Sequence, residues 1–193
     1  MDYQNVYRSA RRAFSQDGAP HWEGQIHPGR LADLIVARGR QPRQLVEVRV
    51  YRGQPDSSKD PKAYGASQKQ TAMWSRDPRV RVVSRPLRYP RDYPLSKPEE
   101  KGVDVQLAVD FVSMAIRGEY EVGVLMSEDT DLKPPLEAVV ALPITSQKVH
   151  CEVAAWAPPA SPARRLRIPG VNLWCHLLSE ADFRPVADNT NYA

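Results

Sequence analysis

The chain has 193 residues, 41% of them hydrophobic and 26% charged, which fits one domain with a buried core and excludes a chain disordered by composition. No apolar run approaches the ~20 residues of a membrane span, the opening Met1-Asp2-Tyr3-Gln4-Asn5 is polar, unlike a signal peptide, and two cysteines cannot build a disulfide framework. Membrane, secreted and fibrous classes are set aside, and a reducing cytoplasm is the expected location. Twenty of the 27 basic residues are Arg, against 23 acidic residues, for a net charge of +4; arginine pairs bidentately with phosphate, so a polyanionic partner is admitted beside the blander reading of an Arg-rich proteome.

In chain order, Asn5–Ser15 reads as a helix with Val6, Ala10, Ala13 and Phe14 on one face. Gly29–Gly39 follows Pro28, a helix-start signal, and turns Leu31, Leu34 and Ile35 inward. Val46, Val48 and Val50 alternate with Glu47 and Arg49, which predicts a strand. Asp60–Arg76 is helical and Arg79–Ser84 is a second strand. Prolines at 86, 90, 94 and 98 forbid a helix there, because each would remove a hydrogen bond, so the segment is an extended loop. Val103–Arg117 is a helix apolar nearly all round and expected to be buried. Glu121–Met126 is a buried strand, Pro134–Leu142 a helix and Val149–Trp156 a strand. A second Pro/Arg loop spans Ala157–Gly170, and Asn172–Leu178 is a short closing element of undetermined type.

Strands alternating with helices predict a parallel α/β sheet, in which ligands bind beyond the carboxyl ends of the strands. Asp129-Thr130-Asp131 follows the most apolar strand directly. Two carboxylates there can hold a hard divalent cation such as magnesium. The alternative is a polar turn with Asp131 placed favourably at a helix start. Asp104 can be a helix N-cap or a third carboxylate aimed at the strand ends. Asp110 lies six residues on, about 120° around the helix, and in its apolar stretch needs a partner or a metal. Asp2 and Asn5 alone suggest only a helix cap.

Taken in order, Asp2-x-x-Asn5, then Lys101-Gly102-Val103-Asp104-Val105 with Asp110, then Ser127-x-Asp129-Thr130-Asp131, resembles the NYN-domain branch of the PIN-like nucleases, in its LabA-like form. The resemblance spans residues 2 to about 156. It implies a three-layer αβα, Rossmann-like domain with a mainly parallel five-stranded sheet and acids gathered at its carboxyl edge. It also implies a single domain over 1–193, with its core at 2–156 and residues 157–193 as an extension packing on it. Carried over by position, Asp2, Asp104, Asp129 and Asp131 would bind the metal, Mg²⁺ or Mn²⁺. Asn5, Ser127 and Thr130 would orient them or contact phosphate, and Lys101 would balance charge beside the scissile group. A bound ion lowers the pKa of water and offsets phosphate charge, so 5′-phosphate and 3′-hydroxyl products are expected. In the family a hydrophobic strand in mid-sheet precedes the acid at position 2, and here only Met1 does. A strand takes about five or six residues, so the expectation is that Met1 is internal to the true first strand. An in-frame stop codon just upstream would contradict this.

The loop 85–98 carries Arg85, Arg88, Arg91 and Lys97 interleaved with Tyr89 and Tyr93, the cations and rings that single-stranded nucleic acid binding uses. The alternative is a solvated loop whose tyrosines pack on the domain. Arg164, Arg165 and Arg167 form a second basic cluster. His150-Cys151 and Cys175-His176 do not make a zinc site, since adjacent strand residues face opposite ways and the spacing fits no zinc pattern. The expected activity is metal-dependent RNA hydrolysis, with RNA as partner, no membrane, and homodimerisation open. The readings set beside it are a non-catalytic RNA-binding or regulatory module on the same scaffold and a phosphatase or primase-like domain using D-x-D. Residues 97–137 hold ten acidic against four basic residues, so the mild net charge conceals an acidic centre in a basic surround.

Overall fold

A computed structural model describes residues 1–142 and 149–193. The first element is helix α1 (Tyr3–Phe14), which begins because the Asp2 side chain accepts the Asn5 N–H. Helix α2 (Pro28–Ala37) has proline in its first turn, leads to strand β1 (Val48–Gln54), and buries Leu31 and Ile35. Asp60 caps α3 (Pro61–Trp74), which crosses to strand β2 (Val80–Pro86). After the loop come α4 (Val103–Ile116), β3 (Val122–Met126), a 3-10 turn (Thr130–Leu132) and α5 (Lys133–Val140). Strands β4 (His150–Trp156) and β5 (Trp174–Leu178) and helix α6 (Glu180–Val186) complete the fold.

Among the described residues, β1 to β5 pair only in the parallel sense, and helices cover both faces. Where the resemblance implies a mainly parallel five-stranded sheet, the described residues form two parallel pieces, β1-β2 and β3-β4-β5. Met1 and Asp2 lie between them. The Met1 nitrogen donates to Arg49 O at 2.6 Å, Tyr51 N–H donates to Met1 O at 3.0 Å, and Asp2 N–H reaches Met126 O at 3.3 Å. This dipeptide makes one rung of ladder to each side, and Asp2 bridges Tyr51 in the parallel sense. The segment 174–178, undetermined from sequence, is the edge strand β5, pairing Glu152 with Trp174 through Trp156 with Leu178.

One core layer unites Val6 and Ala10 of α1, Leu31 and Ile35 of α2, Trp74, Trp156 and Val186. The other joins Leu107 of α4 and Leu136 of α5 to Leu125, Val153, Leu166 and Ile168. The expectation that α4 is buried all round is corrected: Val105, Val109 and Ile116 form an exposed stripe, 65%, 54% and 65% accessible. Only Val103, Leu107 and Ala115 on that helix are fully buried, because a helix against a sheet covers one face whatever its composition. Among the described residues, no helix is long and apolar enough to cross a membrane.

Candidate active site

The chain runs outward from β1 to β2, returns through α4, and then steps outward the other way from β3 to β4 and β5. The direction of winding therefore reverses between β1 and β3, and in such sheets the crevice at the carboxyl ends of the strands at this switch point receives ligands. Asp2 stands there. It is buried, 5% exposed, and both oxygens are held: Oδ1 accepts Asn5 N–H at 3.1 Å, and Oδ2 accepts the Ser127 hydroxyl at 3.1 Å. Burial raises its pKa above the ordinary 3.8, the two hydrogen bonds and the nearby terminal amine pull it back, and the Asp129 charge adds to the rise.

The turn after β3 is tied to the start of α1 by the same few side chains. Asn5 Oδ1 accepts Glu128 N–H at 2.8 Å, Ser127 Oγ accepts Asp129 N–H at 3.1 Å, and Asp129 Oδ1 accepts Asp131 N–H at 3.0 Å. Arg12 of α1 pairs with Glu128 across the same junction. Asp104 enters from the first turn of α4, where Gly102 at φ 75° supplies the left-handed backbone that starts the helix. Its carboxyl is raised above 3.8, by partial burial first and then by the charges of Asp2, Asp129 and Asp131. The sheet edge thus brings Asp2, Asn5, Asp104, Ser127, Asp129, Thr130 and Asp131 to one opening. Thr130 and Asp131 are exposed on its rim, and Lys101, also exposed, precedes the helix that carries Asp104.

Glu100 was not singled out from the sequence. Its Oε1 accepts Gly53 N–H at 2.5 Å, and its pKa is raised above 4.5 by burial, with Asp2 and Asp104 adding to the rise. The approach needs a glycine: a Cβ on Gly53 would lie 2.2 Å from Leu87 Cδ2 and 2.8 Å from Glu100 Cγ. The signal was present as an acid immediately before the Lys101–Asp104 motif.

Asp110 belongs elsewhere. It accepts from Tyr51 OH and Gln106 Nε2, each at 2.9 Å, and lies 3.6 Å from Arg49, so its partners are structural. In the 85–98 loop the tyrosines are half-buried. The Tyr89 and Tyr93 rings meet edge to face at 4.8 Å, Lys59 lies over Tyr89, and Tyr89 OH accepts Asp56 N–H at 3.1 Å. Arg85, Arg88, Arg91 and Lys97 are exposed, with Arg85 donating to Gln106 at 3.0 Å. The loop is closed at its foot by paired backbone bonds between Arg88 and Glu99. Arg164, Arg165 and Arg167 are exposed on the later loop.

Cys151 and Cys175 are free thiols, and burial pushes the Cys151 thiol up to about 12, away from its thiolate form. His176 instead meets Glu152 at 2.7 Å, and Arg43 clasps the same carboxylate through two bonds of 2.7 Å, a buried triad the sequence did not disclose.

Among the described residues, no three His, Cys, Asp or Glu side chains converge closely enough to hold a metal ion as placed. The donor chemistry nonetheless fits a hard cation, since every acid at the opening offers only oxygen. None of Asp2, Asp104, Asp129 and Asp131 has a cationic side-chain partner among the described residues.

Among curated proteins and among solved structures, none matches this chain. A family model does, over residues 1–156, and that stretch holds every acid gathered at the switch point. The chain therefore belongs to the NYN domain family, a branch of the PIN-like nucleases.

Proposed function

We propose that this chain is a metal-dependent ribonuclease, with Asp2, Asp104, Asp129 and Asp131 holding Mg²⁺ or Mn²⁺. One observation carries the reading. At the switch point of this NYN-family chain the charges of neighbouring carboxylates raise the pKa of Asp2 and Asp104, and none of the four acids is ion-paired with a Lys or Arg side chain among the described residues. Such an arrangement costs free energy in the protein alone, and a divalent cation relieves it. When bound, the ion lowers the pKa of a water and offsets charge on the phosphate.

The protein's own groups do the rest. Asp2 is locked by Asn5 N–H and Ser127 Oγ, so one carboxylate needs no ordering when substrate arrives. Asp104 makes no side-chain hydrogen bond among the described residues and Asp131 is exposed, so both can turn toward the opening. The basic residues of the loop, Arg85, Arg88, Arg91 and Lys97, would carry the phosphates of a single strand of RNA, and Lys101 would offset charge next to Asp104. Tyr89 and Tyr93, paired to each other, serve better as the stiffener of that loop than as free stacking platforms.

The second reading is a non-catalytic RNA-binding module, favoured by the spread of the acids. RNA cleavage with Mn²⁺ or Mg²⁺, compared with chelator and with Asp129→Asn, separates the two. Metal-dependent cleavage lost in the variant supports the nuclease, cleavage that survives the substitution moves the chemistry elsewhere, and binding without cleavage under any metal supports the module.

A further inference from the structure

The carboxyl edge of the sheet carries a second basic feature, on the far side of the acids from the 85–98 loop. That loop follows β2, whereas the later loop leaves the carboxyl end of β4 at Trp156. In the order β2, β1, Met1-Asp2, β3, β4 the two strand ends stand four spacings apart, about 19 Å at ~4.8 Å each. Asp2 and the turn after β3 lie between them.

Where the later loop passes α1, a small cleft of about 80 Å³ is lined by Arg12, Glu128, Trp156, Ser161 and Arg164. It has room for roughly two or three waters, or for the oxygens of a single phosphate group. Its walls are fixed in advance. Pro158, Pro159 and Pro162 lock their own φ, Leu166 and Ile168 seat the far end of the loop in the core, and Trp156 is buried with its Nε1–H on Val6 O at 3.1 Å. Groups already held in place lose little entropy when a ligand arrives. The three arginines of the loop are not equivalent. Arg164 lines the cleft, is exposed, and makes no ion pair among the described residues. Arg165 and Arg167 lie instead near the Cys175 thiol, which burial raises and their charges pull back.

Arg12 is held by Glu128, but loosely. Its side chain is 49% exposed, and exposed ion pairs contribute about 0–1 kcal/mol. A phosphate accepts two parallel bonds from one guanidinium and can meet Arg164 at the same time, so it competes well with a single carboxylate. Glu128 directly precedes Asp129, which puts an anion in this cleft beside the acids.

Building on the reading of RNA as the substrate, we propose that Arg12, Ser161 and Arg164 form a seat for one backbone phosphate of the strand, on the β4 side of the acids. The RNA is then gripped on both flanks of the opening, by the 85–98 loop and by this seat. Glu128 keeps Arg12 in place until a phosphate displaces it.

Binding of a single-stranded RNA oligonucleotide, measured in chelator at several salt concentrations, tests the seat apart from cleavage. Arg164→Ala is expected to weaken affinity about tenfold and to shrink the slope of log affinity against log salt by about 0.7, the value for one phosphate. Adding Arg12→Ala should remove no further slope, because both cations meet the same phosphate. Glu128→Gln should tighten binding about threefold by freeing Arg12, and Arg165→Ala with Arg167→Ala should leave the slope unchanged. An unchanged slope in Arg164→Ala, or weaker binding by Glu128→Gln, overturns the seat, and the RNA reading stands if Arg88→Ala with Arg91→Ala still lowers the slope. No binding of RNA by the unmodified chain removes both. Oligonucleotides with a 5′-phosphate and a 5′-hydroxyl should respond alike to Arg164→Ala. A loss confined to the phosphorylated one makes the cleft a pocket for a strand end and overturns the backbone assignment.

Discussion

The Ser127 hydroxyl donates to Asp2 Oδ2 at 3.1 Å and accepts the Asp129 N–H at the same distance, so one oxygen sets the spacing between the first acid of the chain and the acid that follows β3. Ser127 is 3% exposed, and water cannot replace the lost bonds. Ser127→Ala is expected to cost about 1–3 kcal/mol by leaving two buried polar groups short of a partner. Cleavage should fall in kcat with KM little changed, since positioning of the acids and not RNA contact is lost. Steady-state kinetics and thermal melting on the same preparation check both.

Asp104 is where site and stability pull in opposite directions. Its folded pKa is raised above 3.8, so between the unfolded and folded values the native state binds more protons and stability falls as pH rises. The cost is absent below the unfolded pKa and complete above the folded one. Asp104→Asn should therefore raise Tm at pH 7, typically by ~2–4 °C per kcal/mol at this size, and should not at pH 3, while abolishing cleavage. Melting curves across pH 3–8 test the sign. A uniform shift at all pH values would show that repulsion is not the cause.

If the acids hold a divalent cation, Mn²⁺ stabilises the fold by mass action. At a hundredfold excess over Kd the gain is about 2.7 kcal/mol. A thermal shift with Mn²⁺ is expected for the unmodified chain and for Asp110→Asn, and is expected to disappear in Asp129→Asn. Equal shifts in all three would place the ion elsewhere.

Asp110 supplies the contrast within the same helix. Its bonds to Tyr51 and Gln106 join α4 to β1. Asp110→Asn should lower stability by about 1–2 kcal/mol and leave cleavage within threefold, as measured by melting and turnover.

For the loop, Arg88→Ala with Arg91→Ala removes two exposed cations that make no ion pair among the described residues. If each meets a phosphate, the slope of log affinity against log salt for single-stranded RNA should shrink by about 1.4. A titration at several salt concentrations reads it. An unchanged slope returns the loop to a solvated connection.

Much of the fold was legible because most of the helices announce themselves locally. Asp60 and Pro61 mark the start of α3, and proline in the first turn marks α2. Helix α6 was missed. Its capping box uses Ser179 with Asp182, not the more familiar glutamate, and Pro185 lies inside it, so the helical signal is weak. Strand β1 begins at Val48, and Val46, included by alternation, is 65% exposed because the ladder to Arg79 and Val80 starts only there. The acids at 2, 104, 129 and 131 were found through motif order, but their mutual repulsion is a tertiary fact. Glu100 escaped notice because its role depends on a glycine 47 positions earlier.

That glycine, Gly53, has a consequence beyond the strand it belongs to. Leu87 at the entrance of the basic loop and Glu100 at its exit both rest on the space where its side chain would be. The loop is therefore footed on the same few ångströms of backbone that position an acid next to Asp2 and Asp104. A residue with no functional group of its own becomes the point where grip on the nucleic acid and the geometry of the acids would fail together. On the proposed reading, a methyl group at position 53 is the smallest change able to disturb RNA binding and the acids together while leaving every charged residue in the chain.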